Sequence, residues 1–180
     1  MPAVCIPDRF VYKKILNSDK FVWIKWRPYI CSINSLMLSK TCEYAVRAMI
    51  YVAQNSQNGQ MVNIKKIAEK IGSPELFIGK ILQGLSKRGF LQSSKGRYGG
   101  FYINDNDAKH SLADIVIAVD GDKIFKGCGV GLDYCSEKKP CPIHSEYKTA
   151  RNQLFNIYKS ATLEQFKSLK GSELVMLKRK

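Results

Sequence analysis

Two short apolar repeats separated by Gly72-Ser73-Pro74 constrain this chain more tightly than any other feature. Ile64, Ile67, Ala68 and Ile71 recur at i, i+3, i+4 and i+7, so they share one face of a helix about two turns long. Asn63 precedes that run as an N-cap, and Gly72 follows it as a left-handed stop. Ile78, Ile81, Leu82 and Leu85 repeat the spacing in a second helix. Ser73 is expected to cap it, with Pro74 at the first helical position, where a missing N–H costs nothing. Helices this short joined by so tight a turn have the layout of a helix-turn-helix, the second being the recognition helix.

The flanking sequence supplies the rest of such a domain. Phe90-Leu91-Gln92-Ser93 and Phe101-Tyr102-Ile103 read as strands around the basic, glycine-rich tip Ser94-Lys95-Gly96-Arg97-Tyr98-Gly99-Gly100, the pattern of a wing. Upstream, a helix opening at Ser39 carries Ala45, Ala48, Met49 and Val52 on one face, places Glu43 in its first turn and ends near Asn55. Downstream, Ser111 and Asp114 form a capping box for a helix with Leu112, Ile115, Val116 and Val119 inward, stopped by Gly121. His110, in the polar loop before it, is read as solvated.

Beyond Gly121 the texture changes. Residues 121–142 hold four glycines, two prolines and three cysteines, too long a segment to be a mere connector. Ile143, Tyr147, Ala150, Leu154, Ile157 and Ala161 then alternate at four and three, the seam of a helix that packs along another, which suits a dimerisation helix. Thr162 and Gln165 suggest a second capping box for a short last helix with Leu163, Phe166 and Leu169, followed by a basic tail. Residues 1–36 show no sustained period, are interrupted by Pro2, Pro7 and Pro28, and are left unassigned. The expected organisation is an N-terminal extension (1–36), a winged helix-turn-helix domain (37–120), a cysteine-rich loop (121–142) and a dimerisation helix with its tail (143–180). The fold class is mainly α with a small β-wing.

Charge points to the partner. Twenty-nine Lys and Arg against fifteen Asp and Glu give +14, and residues 37–180 retain +10 of it. That balance favours a polyanion, nucleic acid first. The candidate contacts with double-stranded DNA are Ser73, Glu75, Lys80, Gln83 and Lys87 on the recognition helix and its turn, with Lys95, Arg97 and Tyr98 at the wing tip. No stretch reaches the ~18 apolar residues of a membrane span, and the N-terminus lacks the order of a secretory signal, so the expected location is the cytoplasm.

Of six cysteines, Cys5, Cys31 and Cys42 are scattered and read as ordinary buried or free thiols. The others run Cys128, six residues, Cys135, five residues, Cys141, two residues, His144. Three thiolates and an imidazole on one loop are the soft donor set of an iron–sulfur cluster. A structural zinc site would more often show Cys-x-x-Cys pairs, which this chain lacks. The same thiols could instead form a disulfide switch. A thiol oxidoreductase or metal-trafficking role finds no Cys-x-x-Cys and no nucleophile–base pair to support it.

The motifs together resemble the Rrf family of winged-helix transcription regulators, over about residues 37–170. The likeness rests on Met37-Leu38-Ser39-Lys40 with Glu43-Tyr44-Ala45-Val46-Arg47-Ala48, on Ile67-Ala68-Glu69, on Gly96-Arg97-Tyr98-Gly99-Gly100-Phe101-Tyr102, on Leu112-Ala113-Asp114-Ile115-Val116 and on the three cysteines. The resemblance implies a non-enzymatic homodimer with crossed long helices, a palindromic DNA site and a repressor or activator role. It also implies a cluster, of the two-iron two-sulfur type and lost from aerobic preparations, that senses redox state, iron–sulfur status or nitric oxide. His144 stands where some relatives have a histidine ligand, and Glu43 where others carry an acidic one from the partner subunit; His144, local to the loop, is preferred. One extra residue lies between the first two cysteines relative to the family pattern. Because the likeness opens at a methionine, Met37, residues 1–36 read as an extension upstream of a native start, a point that intact-mass measurement decides.

Overall fold

The computed structural model describes residues 11–17, 20–26, 37–133 and 136–169, in two compact units divided after Leu36. The first unit contains an antiparallel pair, β1 (Val11–Asn17) and β2 (Lys20–Trp26), in register from Val11 opposite Trp26 to Asn17 opposite Lys20. The sequence reading left this segment unassigned. Both runs lie between the prolines, and both are rich in the β-branched and aromatic residues that favour strands.

The second unit is built around α1 (Lys40–Asn55). Ser39 caps it, its Oγ accepting from the Cys42 amide at 3.1 Å, while its own N–H and O–H donate to the Asp120 carboxylate at 2.8 and 2.5 Å. The start of α1 is thereby fixed to the end of α4 (Leu112–Asp120). Ala45, Ala48 and Ala53 are buried on α1, and side chains this small let neighbouring helices approach closely around Met49 and Val52.

α2 (Ile64–Ile71) starts at Asn63, whose Oδ1 accepts from the Lys65 amide, and stops at Gly72 in the left-handed conformation (φ 71°), as expected. α3 spans Glu75–Lys87 and buries Ile78, Leu82 and Leu85. Its start differs from the expectation: Pro74 occupies the N-cap position, and no side chain caps the helix. The Ser73 hydroxyl is buried without a hydrogen-bond partner. The turn is held from α1, where Tyr44 meets Phe77 edge-on at 5.6 Å and Arg47 reaches the Ile71 carbonyl at 3.5 Å.

The wing is narrower than its apolar residues suggest, with β3 at Gln92–Ser94 and β4 at Gly100–Tyr102. Val62 adds to its edge, exchanging both backbone hydrogen bonds with Phe101 at 2.8 and 3.0 Å. A β-carbon at Gly100 would lie 2.4 Å from the Val62 carbonyl oxygen, so this glycine is required by backbone approach.

After α4, whose Ser111/Asp114 capping box forms as expected, a short α5 (Lys123–Lys126) interrupts the supposed loop. α6 (His144–Ser160) and α7 (Leu163–Ser168) follow, the last elements among the described residues. Thr162 stands at the N-cap of α7, but its side chain makes no capping hydrogen bond. It pairs instead with Ser111, while Leu112 and Leu163 donate their amides to Ala161 and His110, fastening the end of α6 to the start of α4. A second correction concerns Leu154, assigned to the α6 seam: it packs within the chain beside Phe155 and Tyr158, against Cys42, Ala113, Val116 and Phe125.

Candidate nucleic-acid interface and cysteine recess

A helix brings residues at offsets of three and four onto one line. On α3 that line is Leu76, Lys80, Gln83 and Lys87, every one exposed, opposite the buried Ile78, Leu82 and Leu85; Glu75 is exposed beside it in the first turn. The sequence-derived set on α3 therefore faces solvent together. Ser73, in the turn, is the exception, because its hydroxyl points inward. Leu76 was missed, although a leucine off the apolar repeat of an amphipathic helix is itself a signal.

The wing leaves the C-terminal half of α3, where the Ser86 and Ser93 hydroxyls meet at 3.0 Å. Lys95, Arg97 and Tyr98 are exposed at its tip, Tyr98 at 85%, and the Arg97 guanidinium lies 5.8 Å from the Tyr98 ring centre. Gly96 adopts φ 110°, the left-handed region that only glycine enters cheaply.

The second candidate site lies at the start of α6. Cys128, Cys141 and His144 line one recess of about 350 Å³ together with Leu132, Asp133, Ser136 and Lys139. His144 is the first residue of α6, only 8% exposed, and its amide donates to the Cys141 carbonyl at 2.9 Å, which sets the loop's last cysteine directly against the helix. Cys135, the middle cysteine, lies outside the described residues. Two thiols and an imidazole are suitable donors for a cluster. Among the described residues, however, no three His, Cys, Asp or Glu side chains converge on a metal-sized point. Glu43, the alternative ligand, lies in the first turn of α1 with Lys40 3.1 Å away, consistent with a helix-start anion.

The loop is tied to α6 by contacts the sequence did not suggest. Arg151 Nη1 donates to the carbonyls of Lys126 and Gly127 at 2.7 and 2.8 Å, directly ahead of Cys128. Gly129 sits on the Tyr147 ring so closely that a β-carbon there would lie 2.8 Å from it. Lys148 pairs with Glu137, and that ammonium holds the Glu137 carboxyl below its ordinary range. Cys42 is fully buried; burial first, and the Asp120 carboxylate second, push its thiol up to about 12, which leaves it unreactive. Cys5 and Cys31 lie outside the described residues. His110 is not simply solvated: it stacks on Phe90 at 4.4 Å, with Nε2 3.3 Å from the Gly89 carbonyl.

Comparison with known proteins places this arrangement. Residues 38–168 match the Rrf2 family, described as "Iron-dependent Transcriptional regulator". The chain belongs to the Rrf2 family. A putative HTH-type transcriptional regulator of Aquifex aeolicus is 27% identical over 146 residues, covering 80% of this chain and all of that protein. Among solved structures, CymR of B. subtilis, described as its global cysteine regulator, superposes with a TM-score of 0.61 at 20% identity, over 76% of this chain and 99% of CymR. IscR of T. potens superposes with a TM-score of 0.57 at 22% identity, over 78% and 93%. The fold is therefore the winged helix-turn-helix expected, and this Rrf2 protein is a DNA-binding transcriptional regulator, not an enzyme. Among the described residues no helix is long and apolar enough to cross a membrane.

Proposed function

We propose that this Rrf2 protein is a cytoplasmic homodimer that binds a palindromic DNA site and senses redox state, iron–sulfur status or nitric oxide through its cysteine loop. The observation that carries the sensing role is that Cys128, Cys141 and His144 open into one recess at the root of α6, in a chain matching a family described as iron-dependent. Cys128, Cys135 and Cys141, with His144, would hold an iron–sulfur cluster; two iron and two sulfide ions suit that donor number, with Glu43 of the partner subunit as the alternative fourth ligand. Bound there, the cluster supplies a centre whose oxidation, nitrosylation or loss changes the charge and order of its ligands.

The chain's own residues give that change a route. Arg151, Lys148 and Tyr147 fasten the loop to α6. Ile143 at the N-cap of α6, with Tyr147, Ala150 and Ile157 on the helix, forms an apolar row that this chain leaves exposed, Ile157 at 64%. A second copy of α6 would cover that row. Reordering the loop would then move the helix that sets the spacing of the two recognition helices, a two-state mechanism. On DNA, Lys80, Gln83 and Lys87 would enter the major groove with Glu75, while Lys95, Arg97 and Tyr98 would meet phosphates or the minor groove.

Anaerobic purification with iron and sulfide analysis tests the sensor. A brown protein whose visible bands disappear in Cys141→Ser supports the cluster. A colourless protein in which added oxidant reversibly joins two thiols, with DNA binding retained when they are reduced, supports the disulfide switch; the shared recess of Cys128 and Cys141 favours that second reading. For the interface, Arg97→Ala is expected to weaken DNA binding, lower the log–log salt slope by about 0.9 per lost phosphate contact, and leave the dimer intact by sedimentation.

A further inference from the structure

Leu76 is the large apolar side chain on α3 that the fold does not use. Ile78, Leu82 and Leu85 are buried, and Phe77 and Ile81 are half-buried, whereas Leu76 is 83% exposed. A lone exposed leucine is ordinary on a protein surface. This one stands in the first turn of α3, at the head of the row Leu76, Lys80, Gln83 and Lys87, whose other members are two amines and an amide.

Resting on the reading of α3 as the DNA-recognition helix, we propose that Leu76 determines specificity by packing on the C5-methyl of a thymine in each half-site. First-turn residues of a recognition helix are the ones that reach base edges. Leucine neither donates nor accepts a hydrogen bond, and the thymine methyl is the apolar group a base pair presents in the major groove. Its exposed neighbour Glu75 also suits a turn that faces bases and not backbone, because a carboxylate is repelled by phosphates but can accept from cytosine N4. The contact discriminates at the level of one methyl group: about fourfold per half-site, and about fifteenfold when both half-sites lose it.

The test starts with the full-length protein and a library of randomised duplexes, from which the bound site is selected. Each thymine is then replaced by deoxyuridine at symmetric positions, which removes the methyl and nothing else, and binding is followed by fluorescence anisotropy. One symmetric pair should show the fifteenfold loss. Leu76→Ala should bind the parent site more weakly and lose the thymine-over-uracil preference at that pair alone, with an unchanged circular dichroism spectrum. A variant that keeps the preference, or a selected duplex whose affinity no uracil replacement lowers, overturns the proposal and leaves α3 as the recognition helix. Failure of the library to yield any enriched duplex would instead reject DNA recognition by α3, and the thymine contact with it.

Discussion

The recognition unit and the cysteine loop are ordered by opposite means. In α2, its turn and α3, inward apolar side chains alternate with local stops: Ile67, Ile71, Ile78, Leu82 and Leu85 are buried, Asn63 caps, and Gly72 ends the helix. Among the described residues of 121–142, Phe125 is the buried apolar anchor, Val130 and Leu132 are exposed, and the attachment is largely a set of side chains from α6. A segment held by polar ties to one helix can be reorganised by a bound group at little cost, whereas one held by a packed core cannot. Paired substitutions measure the contrast: Leu82→Ala should destabilise by about 2–5 kcal/mol in urea unfolding, and Leu132→Ala by under about 0.5 kcal/mol. Similar losses for the two would abolish the distinction.

The loop's tie to α6 is sharpened by Arg151→Met, which keeps most of the stem and removes the two hydrogen bonds to the Lys126 and Gly127 carbonyls. Both carbonyls lie near the surface and can turn to water in its place, so the loss should be about 0.5–1.5 kcal/mol. That cost should appear locally, as faster hydrogen exchange of amides around Gly127 and Gly131, with α3 amides unchanged. Equal acceleration in α3 would mean that loop and recognition unit open together.

Asp114 links α4 to α6, capping α4 through Ser111 and pairing with Lys159 at 2.9 Å. Burial alone would raise its carboxyl, but the hydrogen bonds from Lys159 and Ser111 prevail and hold it below the ordinary value. A lowered folded-state pKa gives stability that is fully present above the unfolded value near pH 4 and disappears as pH falls through the folded one. Asp114→Asn should therefore cost about 1 kcal/mol at neutral pH, and its deficit should shrink in thermal melts taken at progressively lower pH below 4. A deficit independent of pH would assign the effect to packing.

What was legible in the sequence follows from distance along the chain. Asn63, Gly72 and the Ser111/Asp114 capping box act within a few residues, and each was read correctly. The need for glycine at position 100 comes from Val62, and the pairing that replaces a Thr162 cap comes from Ser111; neither partner is near enough to leave a local pattern. The apolar repeat of α6 gave a single seam, yet the structure turns Leu154 inward with Phe155 and Tyr158 while Ile157 stays out, because Phe125 of α5 packs there. The three cysteines are read as candidate donors through their chemistry alone, and what the structure adds is the recess shared by Cys128, Cys141 and His144. Arg151, Lys148 and Tyr147, which hold their loop, carry no motif at all.

The last predicted effect runs the other way. Gly79 and Gly84 interrupt α3, and each should weaken it by about 1 kcal/mol relative to alanine. Neither has a positive φ, and a β-carbon at either would meet no atom within 4 Å, so nothing in the folded chain requires glycine there. Gly84→Ala and Gly79→Ala should each raise the urea midpoint by the equivalent of about 0.5–1 kcal/mol without altering the slope of the transition. If they do, and the stabilised variants bind the selected duplex less well, the glycines serve close approach of α3 to DNA. The recognition unit, which is otherwise held by its own core, would then be giving up helix stability at just two positions for the sake of its partner.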